Sequence, residues 1–190
     1  EIFSKEELIE KFTLDNVGKS PAVFNPEKLQ WLNAHYIKEK PAKEIVQLIL
    51  PLMNKNGFNA EYDKKLQMII EQLRERSKTL NDFVSQSSYF YNEVTEYEEK
   101  AKNKFLTEDT KPILKALMEK LGSVENFTYD NIQKALEEVV VELDLKFGKI
   151  AQPMRVALTG GTVSPGIGEV IEILGKEKVI SRIQKAIDFI

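Results

Sequence analysis

No cysteine and only one histidine, His35, occur in the 190 residues. Without thiols there can be no disulfide framework, thiolate metal site or cysteine nucleophile, and that usage fits a reducing cytosol. A single imidazole cannot build a histidine metal cluster, and His35 reads as a surface or helix residue rather than a general base. Long hydrophobic runs are missing too: nothing approaches the ~18 apolar residues of a membrane span, and Glu1 does not open a basic, hydrophobic signal. The chain starts without methionine, so a fragment of a longer protein is expected. There is no G-x-x-x-x-G-K-[ST] phosphate loop. The acidic run around Glu96, Glu98 and Glu99 pairs with no nucleophile and reads as a solvated face. These absences leave no candidate catalytic residue and no candidate metal ligand.

An apolar fraction of 42% is enough to bury a core, and the length suits one large domain or two small ones. The formal net charge of −3 is unlike the basic footprint usual in nucleic-acid binding, but it is unevenly spread. Residues 1–90 carry 13 basic and 13 acidic side chains, residues 91–145 carry 7 and 13, and residues 146–190 carry 7 and 4. The acidity is local to the middle, and the C-terminal end is basic. A surface with few cations touches few phosphates, which predicts weak, salt-sensitive binding that leans on base contacts.

Apolar spacing is helical nearly throughout. Leu66, Ile69, Ile70 and Leu73 recur at i, i+3, i+4 and i+7; Ile113, Leu114, Leu117 and Leu121 share one face, as do Ile132, Leu136, Val139 and Val140. The β-branched Val139-Val140-Val141 lies inside a helical period that begins near Tyr129, so it is assigned to helix. Ser4 and Glu7 have capping-box spacing, Asn25 before Pro26 reads as an N-cap, and Gly122 as a C-terminal stop. Pro51 should end or kink the helix near Leu50, with the loop 54–57 as the stop. The least periodic stretch, Ser85 to Ser88 followed by Tyr89 to Asn92, marks a boundary. The expected fold is all-α, two small helical domains in series: a helical bundle over 1–91 and a helical cage over 92–190. Trp31, with Leu29, Leu32, Tyr36 and Ile37, should be core. Lys176, Lys178, Arg182 and Lys185 should decorate a solvated face of the terminal helix, with phosphate contact as the other reading.

The run from Ala151 to Val170, AQPMRVALTGGTVSPGIGEV, has the composition of a built surface. An arginine sits on a short apolar helix, then comes Gly160-Gly161, then Ser164-Pro165-Gly166 opening a second apolar helix. Paired glycines allow positive φ, and Ser164 can cap a helix whose first residue is Pro165. Backbone N–H groups there can donate to phosphate or base oxygens, and Ile167 can pack on an unstacked base face. Arg155 by itself reads either as a snorkelling cation or as a base or phosphate contact. Arg76, in Leu73-Arg74-Glu75-Arg76-Ser77-Lys78-Thr79, on spacing alone complements the C-terminal dipole of its helix.

The 151–170 run closely resembles the C-terminal signature of bacterial glutamyl-tRNA synthetases. The segment 19–33, KSPAVFNPEKLQWLN, and Arg76-Ser77-Lys78-Thr79-Leu80 also look like that family, so three matches stand in order along the chain. The resemblance implies the anticodon-binding half of such an enzyme, gripping the anticodon loop of glutamate tRNA. In the family, residues matching Arg155, Ser164, Pro165 and Ile167 approach the anticodon; here Arg76 and Arg155 are expected to contact bases, with Thr159, Ser164, Pro165 and Ile167 shaping the pocket. An arginine matching Arg76 reads the third anticodon base, cytosine for glutamate and guanine for glutamine. A guanidinium suits cytosine, whose O2 and N3 both accept, and not the guanine edge that donates at N1 and N2. Gly168 departs from the bulky residue common at its position.

By the same resemblance the parent enzyme uses ATP and magnesium, held by a His pair and a Lys-Met-Ser-Lys loop that this chain lacks. No cofactor and no catalysis are expected of the chain alone. Its implied partners are glutamate tRNA and the missing N-terminal catalytic domain, with a cytoplasmic monomer as the default. Two rivals stand beside this reading. A helical protein–protein adaptor without RNA binding would show a contiguous exposed apolar patch, and an enzyme would show a pocket enclosing paired acids.

Overall fold

In a computed structural model, described for residues 2–18, 20–21 and 23–190, every regular element is helical. Glu1, Lys19 and Ala22 lie outside the described residues, and with the last two go two positions of the 19–33 match. The helices are α1 Lys5–Lys11, α2 Pro26–Glu39, α3 Ala42–Lys55, α4 Lys64–Leu73, α5 Leu80–Gln86, α6 Ser88–Tyr91, α7 Glu99–Phe105, α8 Lys111–Ser123, α9 Tyr129–Glu142, α10 Phe147–Thr159, α11 Ile167–Leu174 and α12 Lys176–Phe189. A 3-10 turn, Arg74–Arg76, prolongs α4.

The starts follow from local chemistry. Ser4 Oγ accepts the Glu7 N–H at 3.1 Å while Glu7 accepts the Ser4 N–H at 2.7 Å, satisfying two otherwise orphaned donors of α1. Asn25 Oδ1 accepts the Lys28 N–H at 3.0 Å, and Pro26 opens α2. Asp63 caps α4 through the Leu66 N–H at 2.7 Å. Val139 to Val141 lie within α9, where the period of its buried face outweighs β-branching. Gly122 falls in the last turn of α8, which runs on to Ser123. Pro51 does not end its helix: α3 continues through it to Lys55. Ile45, Val46, Ile49 and Met53 form a buried stripe on α3 while Pro51 is exposed, so packing outweighs one missing N–H. The stop comes at Asn56, followed by Gly57 at φ +83°.

Buried side chains from Ile37 to Ile187 form one continuous cluster. Helix α3 packs on α4 and α5; α8 lies between α9 and α12; α10 packs on α12; and α11 meets both α9 and α4. The chain between Tyr91 and Glu99 is not helical, and its Glu98 N–H donates to Gly160 O at 2.8 Å.

Two expectations fail. Only Ile37 of the α2 apolar set is buried; Leu29 is 53% exposed, Trp31 51% and Tyr36 41%. Phe12, Val23 and Phe24 are exposed as well. An apolar face becomes core only where a second layer covers it, and the packed helices cover α2 on one side alone, where Asn33 Nδ2 donates to Lys78 O. Arg182 is the reverse case. It is 1% exposed and not on a solvated face.

Ile70→Ala, which empties a fully buried position, should destabilise the chain by about 2–5 kcal/mol. Leu48→Ala, at a half-exposed site on α3, should change stability by less than about 0.5 kcal/mol. Urea unfolding followed by far-UV circular dichroism checks both.

Candidate nucleic-acid interface

Helix α10 ends because Gly160 turns left-handed, at φ +82°, its N–H still donating to Val156 O at 2.9 Å. A Cβ there would also sit 2.9 Å from Glu96 O and 3.3 Å from Val94 Cγ1. At Gly161 a Cβ would meet the Glu98 carboxylate at 2.6 Å. The close approach that the glycine pair permits is therefore to the chain's own 94–98 segment, where the sequence suggested a ligand.

The second half of the loop differs from expectation in a similar way. Helix α11 begins at Ile167 with Gly166 as its N-cap. Ser164 does not cap it: its hydroxyl, in a residue only 6% exposed, donates to Pro165 O at 2.9 Å. Ile167 is 3% exposed and belongs to the core, so it supports the loop from below and offers no face to a base. At Gly168 the volume of a side chain is already taken by Gln133, with the Tyr129 ring 3.0 Å from an added Cβ. The absence of a bulky residue there is made good by α9.

Arg76 and Arg155 converge on this loop from different helices. Arg76, at the end of the turn after α4, donates from Nη1 to Ser164 O at 2.7 Å. Arg155, half-buried on α10, reaches Thr162 O from Nη1 at 3.5 Å and Pro165 O from Nη2 at 3.4 Å. These two contacts are long, at the weak edge of hydrogen bonding. Burial, and next the nearby Arg76 charge, hold the Arg155 guanidinium below its ordinary pKa. Among the described residues no carboxylate lies within ion-pair distance of either arginine. Thr159 fastens the turn: its Oγ1 donates to Arg155 O at 2.9 Å and accepts the Gly161 N–H at 3.4 Å. Pro165 is buried, and Val163 is 79% exposed at the tip of the loop.

Tyr89 completes the cluster, and nothing in the sequence singled it out beyond its place in an aromatic stretch. Its hydroxyl is buried without a hydrogen-bond partner among the described residues, as are Arg155 Nε and Gln152 Oε1. Burial pushes the phenol pKa up, against the opposing pull of Arg76 and Arg155. Two guanidinia that donate to carbonyls of one loop, with no carboxylate at ion-pair distance among the described residues, form a donor-rich surface. Such a surface suits planar groups edged with oxygen and nitrogen acceptors.

The sequence profile described as "Anticodon binding domain" matches residues 42–187, which include both arginines and the whole loop. The chain belongs to the anticodon-binding domain family. It is 43% identical over 190 residues to a glutamate–tRNA ligase from Geotalea uraniireducens, covering all of this chain and 41% of that protein. It is 45% identical over 192 residues to a glutamate–tRNA ligase from Thermodesulfovibrio yellowstonii, with 99% and 41% covered. A crystal structure of a glutamate tRNA ligase from Elizabethkingia meningosepticum superposes with a TM-score of 0.91 at 29% identity, covering 98% of this chain and 37% of that one. The chain thus spans about two-fifths of the length of the curated relatives it matches. Its fold is the all-α fold of this family. Among the described residues no three His, Asp or Glu side chains are grouped to hold a metal, and no helix is long and apolar enough to cross a membrane.

Gly160→Ala forces a side chain into the left-handed region and against the Glu96 carbonyl. It should lower stability by about 1–2 kcal/mol or more, seen as a fall in Tm. Gly175→Ala, in open space but at φ +79° and ψ 159°, a conformation nearly confined to glycine, should lower stability as well.

Proposed function

We propose that this chain is the anticodon-binding part of a glutamate–tRNA ligase, and that it holds the anticodon loop of glutamate tRNA for aminoacylation by residues outside the chain. The observation that carries this reading is the meeting of Arg76 and Arg155, uncompensated, on one glycine-turned loop within the matched family region. Arg76 would read the third anticodon base through the acceptors of cytosine. Arg155, held only by long contacts, would exchange a loop carbonyl for a base or phosphate oxygen at small loss. Thr159, Ser164 and Pro165 would shape the pocket, and Ile167 would support it from the core. The contribution to catalysis is positioning, since a gripped anticodon fixes where the far end of the tRNA lies.

In this reading ATP and magnesium would supply the chemical drive for joining glutamate to its tRNA; the sequence holds no G-x-x-x-x-G-K-[ST] phosphate loop. In this reading they belong to the missing catalytic domain, and this chain alone catalyses nothing. A cytoplasmic, monomeric parent is part of the same proposal, as is the division into helical units 1–91 and 92–190, supported by the non-helical 92–98 connection.

One observation favours the adaptor reading: the exposed Phe12, Phe24, Leu29, Trp31 and Tyr36. These residues precede the 42–187 region that the family profile matches, and the relatives are more than twice as long as this chain. We therefore assign this face to contact with the rest of the longer protein.

In a low-salt titration, the chain should bind an anticodon stem-loop of glutamate tRNA more tightly than the same stem-loop with guanine as third anticodon base. Arg76→Gln should relax that preference by about 1–3 kcal/mol, and Arg155→Ala should weaken binding to both. Equal binding of both stem-loops by the native chain would overturn the assigned role of Arg76.

Trp31 is the sole tryptophan of the chain. Its fluorescence should be quenched readily by acrylamide in the isolated chain and protected in the full-length protein, with Trp31→Phe identifying its share of the signal. Equal quenching in both would return the apolar face to an outside partner.

A further inference from the structure

Arg182 on α12 is fully buried, at 1% exposure, and no carboxylate pairs with it at ion-pair distance among the described residues. An apolar side chain of similar volume would ordinarily serve stability better than a buried cation. What the guanidinium does instead is bridge two carbonyls that lie far apart in sequence. Nη1 donates to Leu158 O at 2.6 Å, and Nη2 donates to Asn92 O at 2.8 Å. Leu158 lies in the last turn of α10, three residues after Arg155 and immediately before Thr159. Asn92 closes α6, its N–H bonded to Ser88 O at 2.8 Å, at the point where the chain leaves the helices that carry Arg76 and Tyr89.

Neighbouring contacts run the same way. Lys185, one turn further along α12, pairs with Glu93 at 2.7 Å, and that hydrogen bond is the main reason the Glu93 carboxyl is held below its ordinary range. The 94–98 segment then passes against Gly160. Arg76 and Arg155 can address one ligand only if α4 and α10 keep a fixed relation, and Arg182 is the side chain that fastens the end of one helical group to the end of the other.

We propose that Arg182 is a positioning residue that sets the relation between Arg76 and the Arg155 loop, and so governs discrimination between anticodon bases without touching the RNA. The base-discrimination half of this proposal rests on the anticodon reading above; the clamp half does not. A lysine cannot replace it, because one ammonium lacks the planar fork that reaches both carbonyls.

The absence of native cysteine allows spin labels at Lys43→Cys on α3 and Glu177→Cys on α12, both exposed. Pulsed electron-spin distances are compared among native chain, Arg182→Lys and Arg182→Met, alongside Tm and the two stem-loop affinities. The native chain should give one narrow distance. The variants should give a broad or split distribution and a cytosine-over-guanine preference reduced about fivefold or more. Should Arg182→Met fail to fold, Arg182→Lys decides. A narrow distance and unchanged preference with only a lower Tm would make Arg182 a purely structural residue and overturn the proposal, as would broadening without any change in preference. If the native chain binds neither stem-loop, the anticodon reading falls and takes the discrimination half with it, while the distances still decide whether Arg182 is the clamp.

Discussion

Peptide carbonyls that leave a helix without backbone partners constrain the centre of this molecule. Beyond Thr159 the chain turns through Gly160 and has no regular structure until Ile167. Three arginines answer the carbonyls around that turn: Arg182 at Leu158, Arg155 at Thr162 and Pro165, and Arg76 at Ser164. A buried carbonyl left unpaired costs about 1–3 kcal/mol. The loop therefore holds its arginines in place as much as they hold the loop, and the helices bearing them are drawn to one point. The contacts are graded in a useful way. Those of Arg182 are short, 2.6 and 2.8 Å, as suits a fixed strut, whereas those of Arg155 are long, 3.4 and 3.5 Å.

The acidic middle of the chain takes a role in this arrangement through its backbone as well as its charge. Glu96 presents its carbonyl, and Glu98 its N–H and side chain, to the glycine pair, while Glu93 pairs with Lys185. Among the described residues no carboxylate lies at ion-pair distance from Arg76 or Arg155. A carboxylate beside either guanidinium would neutralise it and compete with any ligand oxygen, so the separation preserves the field that the loop presents.

The N-terminal apolar face shows the opposite condition, hydrophobic surface exposed in place of charge buried. Leu29, Leu32 and Tyr36 share one side of α2 at helical spacing; another side meets the Ser77–Lys78 region through Asn33, while Leu29 and Tyr36 stay exposed. Apolar side chains left in water carry a cost in hydration.

By itself the sequence determined the helices, the caps of α1 and α2, and the residue types at the loop, because helical periodicity and side-chain capping are local in the chain. Ser4, Asn25, and the stripes of α4, α8 and α9 needed no partner from far away to be read correctly. Arg76 and Arg155 were legible through motif resemblance, yet neither spacing nor composition could bring them together. Only the tertiary structure decided that Ser164 turns back on Pro165, that Ile167 faces the core, that Pro51 stays helical, that Trp31 is exposed and that Tyr89 joins the two arginines. Arg182 is the sharpest case. On a helical wheel it falls on the stripe of Val179, Ile183, Ala186 and Ile187, but the carbonyls at residues 92 and 158 that it bridges are set by no periodicity along α12. Local pattern sets which way a helix can form; what each face meets is set by contacts between residues far apart in sequence.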